Sequence, residues 1–395
     1  MQDPATGTES HTRLFDDFAR TDDSPRGHSE AIYSFLNRSG RPVWGRVRDT
    51  WERWFEAYPE QHQLDLSRRF RSRLDGQHHG AWWELYLFTL FRALGFAVDV
   101  QTDIDRPDGV SRPDLLVSGD TGEFYVEAAA VLSGIVEEGR DSERESWILD
   151  IVDSVESPNF FLGLEFREVG ISRPKTSEIT RPLVEWLGSL DPDMPEDTGL
   201  PTEFAFRARD WHLEFTAFPV RPERRGLSRR PLGVLPGKTG LVNDGPAMRK
   251  TLKREGNQHR DLDKPYVVAL LCTSPYVDDD DVADALLGNV AYRYQVGGPP
   301  DAGRWIRVRN GFWMNAAGPR GTRVSGVLAG RDLFPWQLGG SLPRLWRNPW
   351  ASREVTLDDR FPSATVEENG EYFLQSGSGE PLAIFGLPPN WPGPW

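Results

Sequence analysis

The sequence predicts an α/β fold with a helical N-terminal extension and an α+β insertion, and three stretches carry that expectation. Residues 81–91 are apolar at nearly every position, as in a helix with no solvent face. Residues 112–130, "RPDLLVSGDTGEFYVEAAA", read as a hairpin with its turn at Gly119, Asp120 and Gly122. Residues 264–272, "KPYVVALLC", form the uninterrupted apolar run expected of a strand covered on both faces.

Taken in order, residues 1–28 are polar and turn-rich and predict a disordered N-terminus. Residues 29–79 predict a helical region. "SEAIYSFLNRSG" runs from a serine cap to a glycine stop, "VRDTWERWFEAYP" ends on proline, and "LDLSRRFRSRLDG" ends on glycine. A core is expected over 80–335: the apolar helix, "FAVDVQ" as a strand, "TDIDRPDGVSR" as a loop, then the hairpin. Residues 139–236 look inserted, with a helix near 141–156, a strand in "FFLGLEFREV", a helix around "ITRPLVEWLGSL" and one or two strands in "EFAFRARDWHLEFTAFPV".

After the insertion, residues 246–262 predict an amphipathic helix with Met248, Leu252 and Leu262 on one face. Lys250, Lys253, Arg254, Asn257 and Gln258 occupy the other. "DDDDVADALLG" caps and runs a short helix after the apolar strand, and helix capping accounts for its acidic run. "GRWIRVRNGFWMN" and "TRVSGVLAG" predict hairpin strands. Residues 336–395 are a Trp- and Pro-rich extension expected to lay its tryptophans on the core.

A chain of 395 residues with 27% charged residues and no long uncharged apolar run is expected to be soluble, without a membrane span. Its start lacks the basic-then-apolar pattern of a secretory signal, and a single cysteine excludes an internal disulfide or a multi-thiolate zinc site, so a cytoplasmic setting is expected. A net charge of −14 excludes coating nucleic acid by overall field, leaving local basic patches such as "RPERRGLSRRP", in which Arg224, Arg225, Arg229 and Arg230 are candidate phosphate contacts. "GKTG" at 237–240 is too short a loop for a nucleotide-binding P-loop. The seven histidines are scattered, and Cys272 lies in a buried-strand pattern unsuited to a thiol nucleophile.

The chemistry resides in three acids. Glu84 is the only charge on the apolar helix from 81 to 91, so it must be protonated, hydrogen-bonded or close to a cation. A turn centred on Asp120 and Thr121 pairs Val117 with Phe124 and Asp114 with Glu127. Two carboxylates then stand about 5 Å apart at their Cβ atoms and repel unless a cation lies between them. A register shifted by one residue would place them on opposite faces.

An apolar helix bearing Glu84, Pro113-Asp114 at one strand's start and Glu127-x-Ala129 on its partner resemble the PD-(D/E)XK restriction-endonuclease-like superfamily. Helix, apolar strand and helix after the insertion are similar to that fold as well, and the resemblance covers about residues 80–130 and 245–290. It implies a mixed sheet flanked by helices and a metal-dependent nuclease acting on nucleic acid, with DNA favoured and defence against foreign DNA as a setting. It further implies Asp114 and Glu127 as ligands of Mg²⁺ or Mn²⁺, with Glu84 helping to hold the metal or its water shell.

The sequence departs from that pattern at Ala129, where the superfamily carries a lysine. Some members are thought to supply this group from the following helix, which offers Lys253 and, second, Lys250 as catalytic candidates; only five of the 46 basic residues are lysines. Gln258 is similar to a glutamine on that helix in some nucleases, although its tyrosine companion is missing. The alternative expectation is a catalytically inactive nuclease fold serving as a binding or assembly module.

Overall fold

A computed structural model describes residues 12–106, 109–120, 122–132, 139–193, 203–226, 230–234, 244–259, 261–294, 303–338 and 340–394. The chain divides into two compact units. The first comprises Met1–Ser24, Ala31–Gly134 and Asn243–Trp395, and the second Pro25–Glu30 and Ile135–Val242.

The first unit opens with α1 (Ile32–Arg38), α2 (Pro42–Glu56), α3 (Glu60–Phe70) and α4 (Asp75–Ala93). Proline at the first position of α2 costs no hydrogen bond, because that N–H lies ahead of the helical ladder. The apolar run within α4 is buried as its composition requires, with Trp82, Trp83, Leu85, Tyr86 and Leu87 all without exposure. Of the N-terminal stretch expected to be disordered, residues 1–11 lie outside the described residues. Leu14 and Phe15 belong to the core instead, their amides donating to the carboxylate of Glu52, because two adjacent apolar side chains find a site against the helices.

Strands follow: β1 (Ala97–Val100), β2 (Ile104–Arg106), β3 (Gly109–Ser111), β4 (Leu115–Gly119) and β5 (Gly122–Val131). The stretch expected to be a plain loop thus contains the small hairpin β2–β3. Its three-residue strands are too short to show a period.

The second unit contains α5 (Gly139–Asp153), β6 (Phe160–Glu168), α6 (Thr176–Ser189), β7 (Glu203–Ala208), β8 (Trp211–Pro219) and β9 (Leu232–Val234). Its four strands are ordered β7-β8-β6-β9. Along β8, Trp211, Leu213, Phe215 and Ala217 alternate inward onto Ile148, Ile179 and Leu183 from the two helices, the pattern of a sheet with one buried face.

The chain returns to the first unit with α7 (Gly245–Gln258), β10 (Tyr266–Cys272), α8 (Asp279–Leu287), β11 (Val290–Arg293), β12 (Arg304–Arg307), β13 (Met314–Asn315), β14 (Gly318–Pro319) and β15 (Gly326–Gly330). It ends in β16 (Arg344–Arg347), β17 (Ser363–Val366), β18 (Tyr372–Gln375) and α9 (Pro381–Ile384). The main sheet is mixed, ordered β1-β4-β5-β10-β15-β16-β17-β18. β5, β10 and β15 are mutually parallel, and β4 runs against β1 and β5.

β10 is buried at every position because helices cover both sides. Val267, Ala269 and Leu271 face the cluster built on α1–α4, while Val268, Leu270 and Cys272 face the one built on α7 and α8. The expected hairpin over 303–330 does not form. β12 pairs with β11, and β15 enters the main sheet between β10 and β16. Small residues permit this: a Cβ on Gly330 would lie 2.7 Å from Trp83 Cη2, so glycine lets the strand approach the α4 indole. The C-terminal extension is also more than a cover, since it supplies β16, β17 and β18, although Trp336, Trp346 and Trp391 do pack onto core clusters.

Candidate functional site

The β4–β5 ladder pairs Leu115 with Val126, Leu116 with Tyr125 and Val117 with Phe124. Continued by one residue, this register sets Asp114 opposite Glu127, as the turn position predicts. Asp114 lies in a bend just before β4, where Glu84, Glu127 and Arg69 all act on its carboxyl. Glu127 shares a sheet face with Tyr125 and Ala129, which belong to the second cluster. Glu127 therefore stands on the side of the sheet covered by α7.

Asp114 Oδ2 accepts a hydrogen bond from the Ala128 amide at 2.8 Å. Burial raises its pKa well above the usual carboxylate range, helped by the charges of Glu84 and then Glu127, while the Ala128 N–H and Arg69 oppose the rise. Glu127, 6% exposed, is pushed up to about 8 by burial first and by Glu255 next, with Glu84 adding to them. Hydrogen bonds from the Asp114 backbone and the Gln258 side chain pull the other way.

Glu84 comes from α4, in the layer on the opposite face. It is 1% exposed and fully engaged: the Tyr58 hydroxyl donates to Oε1 at 2.5 Å, and Arg69 Nη2 lies 2.8 Å from Oε2. Burial and then the charge of Glu84 drive the Tyr58 phenol far up. Burial alone would lower Arg69, but Glu84 and Asp65 hold it above its ordinary value. Of the states the sequence allows for Glu84, hydrogen bonding and a nearby cation are both present.

Helix α7 carries the stripe that the sequence marks at Met248 and Leu252, with two further members, Glu255 and His259, that sequence reading did not single out. Met248, Leu252, Glu255 and His259 recur at helical spacing and are all buried. His259, just past the helix end, has Nε2 2.9 Å from Glu127 Oε2 and Nδ1 2.6 Å from Ser111 Oγ. Its ring meets Tyr266 edge to face at 5.7 Å, and the Tyr266 hydroxyl donates to the Glu255 carbonyl. The available signal was the stripe itself, continued past the last helical residue. Lys250 and Lys253 fall off it and are exposed, so the structure does not bring the expected lysine onto the face that carries Glu255 and His259. A cavity of about 190 Å³ opens beside His259, lined also by Asp261, Leu262, Tyr266, Arg323 and Arg353.

Two members of the arginine-rich loop are used internally. Arg225 donates to Asp193 Oδ1 at 2.7 Å and to the carbonyls of Val220 and Pro192. Arg230 pairs with Asp153 at 3.4 Å and donates to the Arg26 carbonyl. Their guanidiniums satisfy carboxylates and loop carbonyls within the second unit. Arg224 is exposed on a 3-10 turn, and Arg229 and "GKTG" lie outside the described residues.

Hard carboxylate oxygens whose pKa is raised by burial and by neighbouring acids are the donor set a divalent cation relieves, and Mg²⁺ needs only one or two of them. Asp114 and Glu127 fit that description. Glu84 does not, because Tyr58 and Arg69 already occupy its two oxygens. Among the described residues no group of three or more His, Cys, Asp or Glu side chains is arranged to hold a metal ion. No helix among the described residues is long and apolar enough to cross a membrane. Comparison with protein-family models, curated proteins and solved structures returned no match.

Proposed function

We propose that the chain is a metal-dependent nuclease hydrolysing phosphodiester bonds in nucleic acid, with DNA favoured, built on a restriction-endonuclease-like core. One observation carries the reading: the β4–β5 register, continued by one residue, sets Asp114 opposite Glu127, and the charge of Glu84 reaches both. The succession of acid-bearing helix, acid-bearing hairpin, helix, buried strand and helix agrees with that core. Arg323 and Arg353 beside the cavity suit an approaching phosphate.

In this reading Asp114 and Glu127 would hold Mg²⁺ or Mn²⁺, which supplies an activated water and offsets charge on the leaving oxygen. The Ala128 amide fixes one carboxylate and His259 the other. Glu84, held by Arg69 and Tyr58, adds negative field without serving as a ligand. The role that the superfamily gives to lysine falls to no side chain of β5, since Ala129 is buried among apolar neighbours.

A second reading, an inactive nuclease fold used as a binding or assembly module, is favoured by one observation. His259 sits against Glu127 where a cation would, and Ser111 holds its other nitrogen. The experiment is cleavage of plasmid and single-stranded substrates with Mg²⁺ or Mn²⁺ by the wild type and Glu127→Ala, alongside thermal unfolding with and without metal. The nuclease reading expects cleavage lost in the variant, and a metal-dependent rise in Tm that Asp114→Asn removes. Equal cleavage by both proteins excludes this site, and no metal effect on either measurement favours the module.

A further inference from the structure

The two-stranded ribbon β11–β12 displays side chains that folding alone does not explain. Tyr292 pairs directly with Trp305 across it, their ring centroids 5.1 Å apart, and Tyr294 extends the row at 6.4 Å from Tyr292 with rings 28° from parallel. These are large apolar surfaces left in water: Trp305 is 72% and Tyr294 67% exposed, and Val290 on the same face is also exposed. The row is held in shape from below. A Cβ on Gly303 would lie 2.1 Å from the Tyr292 hydroxyl oxygen, so glycine brings the backbone flush against that phenol. Arg307 pins the ribbon through Asp284 Oδ1 at 2.7 Å and the Gly288 carbonyl.

The other face of the ribbon carries a second anomaly. Arg293 and Arg304 are directly opposed across the strands, a placement that like charges make unfavourable. Both are exposed, and among the described residues neither has a carboxylate partner. Two unneutralised guanidiniums on a ribbon with three clustered, exposed rings ask for a ligand that is both anionic and aromatic. Single-stranded nucleic acid has that chemistry, since bases stack on aromatic faces and phosphates meet arginines, whereas a duplex keeps its bases stacked on each other.

We propose that single-stranded nucleic acid wraps the β11–β12 ribbon, its bases stacking on Tyr292, Tyr294 and Trp305 on one face and its backbone passing round the narrow two-stranded edge to bring phosphates to Arg293 and Arg304 on the other. This surface shares no residue with the acidic site, so it stands or falls separately from the nuclease reading. The test is fluorescence anisotropy of the full-length protein with a labelled oligothymidine and a duplex of equal length, in EDTA so that cleavage plays no part.

The wild type is expected to bind the single strand more tightly than the duplex. Trp305→Ala weakens single-strand binding about tenfold, and Arg304→Gln lowers its salt dependence by about 0.7 in logarithmic slope. Circular dichroism checks that each variant is folded, and the arginine variant decides the matter if the tryptophan variant is not. Duplex binding as tight as single-strand binding, or single-strand binding indifferent to both substitutions, overturns the proposal. So does a concentration-dependent dimer dispersed by Trp305→Ala, because the ribbon would then be covered by a second copy.

Discussion

His259 Nε2 lies 2.9 Å from Glu127 Oε2, both groups almost fully buried. That contact connects the end of α7 to the middle of β5 at the position where an ammonium was expected. An imidazole whose second nitrogen is held by Ser111 is a more rigid neighbour than a lysine on four rotatable bonds. The carboxylate is thereby oriented without β5 having to carry a cation of its own.

The first prediction concerns pH. Glu127 has a folded-state value of about 8 against 4.5 in the unfolded chain, so the folded protein retains a proton that the unfolded chain releases. Its contribution to stability is therefore greatest below about pH 4.5 and falls as pH rises towards 8, and Asp114 acts in the same direction. Urea midpoints of wild type and Glu127→Gln, compared across this range, should diverge in favour of the variant as pH rises. A gap that closes instead would show that the folded site prefers the ionised carboxylate.

A second prediction follows from Glu84, whose side chain is 2% exposed and whose cationic partner Arg69 is 32% exposed. Arg69→Leu leaves a buried carboxylate uncompensated and should cost about 3–5 kcal/mol by denaturant unfolding. Replacing both partners in Arg69→Leu/Glu84→Leu removes the stranded charge, so most of the loss should be recovered. A double variant no more stable than the single one would mean that the pair contributes through packing, not through charge.

The legible parts of this chain are those in which one periodicity dominates. The turn at Asp120 and the alternation on either side specify the β4–β5 register, which continued by one residue sets Asp114 opposite Glu127. The uninterrupted apolar run of β10 likewise implies the two covering layers that Val267 and Val268 face. β16 to β18 were not legible because four-residue strands among Pro and Trp acquire strand character only from neighbours distant in sequence. Ser111 and His259 were missed for a related reason. One lies in a three-residue strand and the other beyond a helix end, and only tertiary packing brings them together.

The third prediction restores the residue that the superfamily pattern wants. Ala129 follows Glu127 by two positions on the same face, but it is 4% exposed and belongs to the cluster that includes Met248, Leu252 and Cys272. Ala129→Lys would force a four-carbon stem and an ammonium into that packing. Overpacking alone should cost about 1–3 kcal/mol, and desolvating the charge adds to this unless the ammonium reaches Glu127. Such contact would compete with His259 for the same carboxylate. The expected outcome by urea unfolding is a destabilised protein, with cleavage of a plasmid substrate no faster than that of the wild type. A variant of undiminished stability that cleaves faster would mean that the pocket beneath α7 already accommodates a lysine, and that Ala129 alone limits the chemistry.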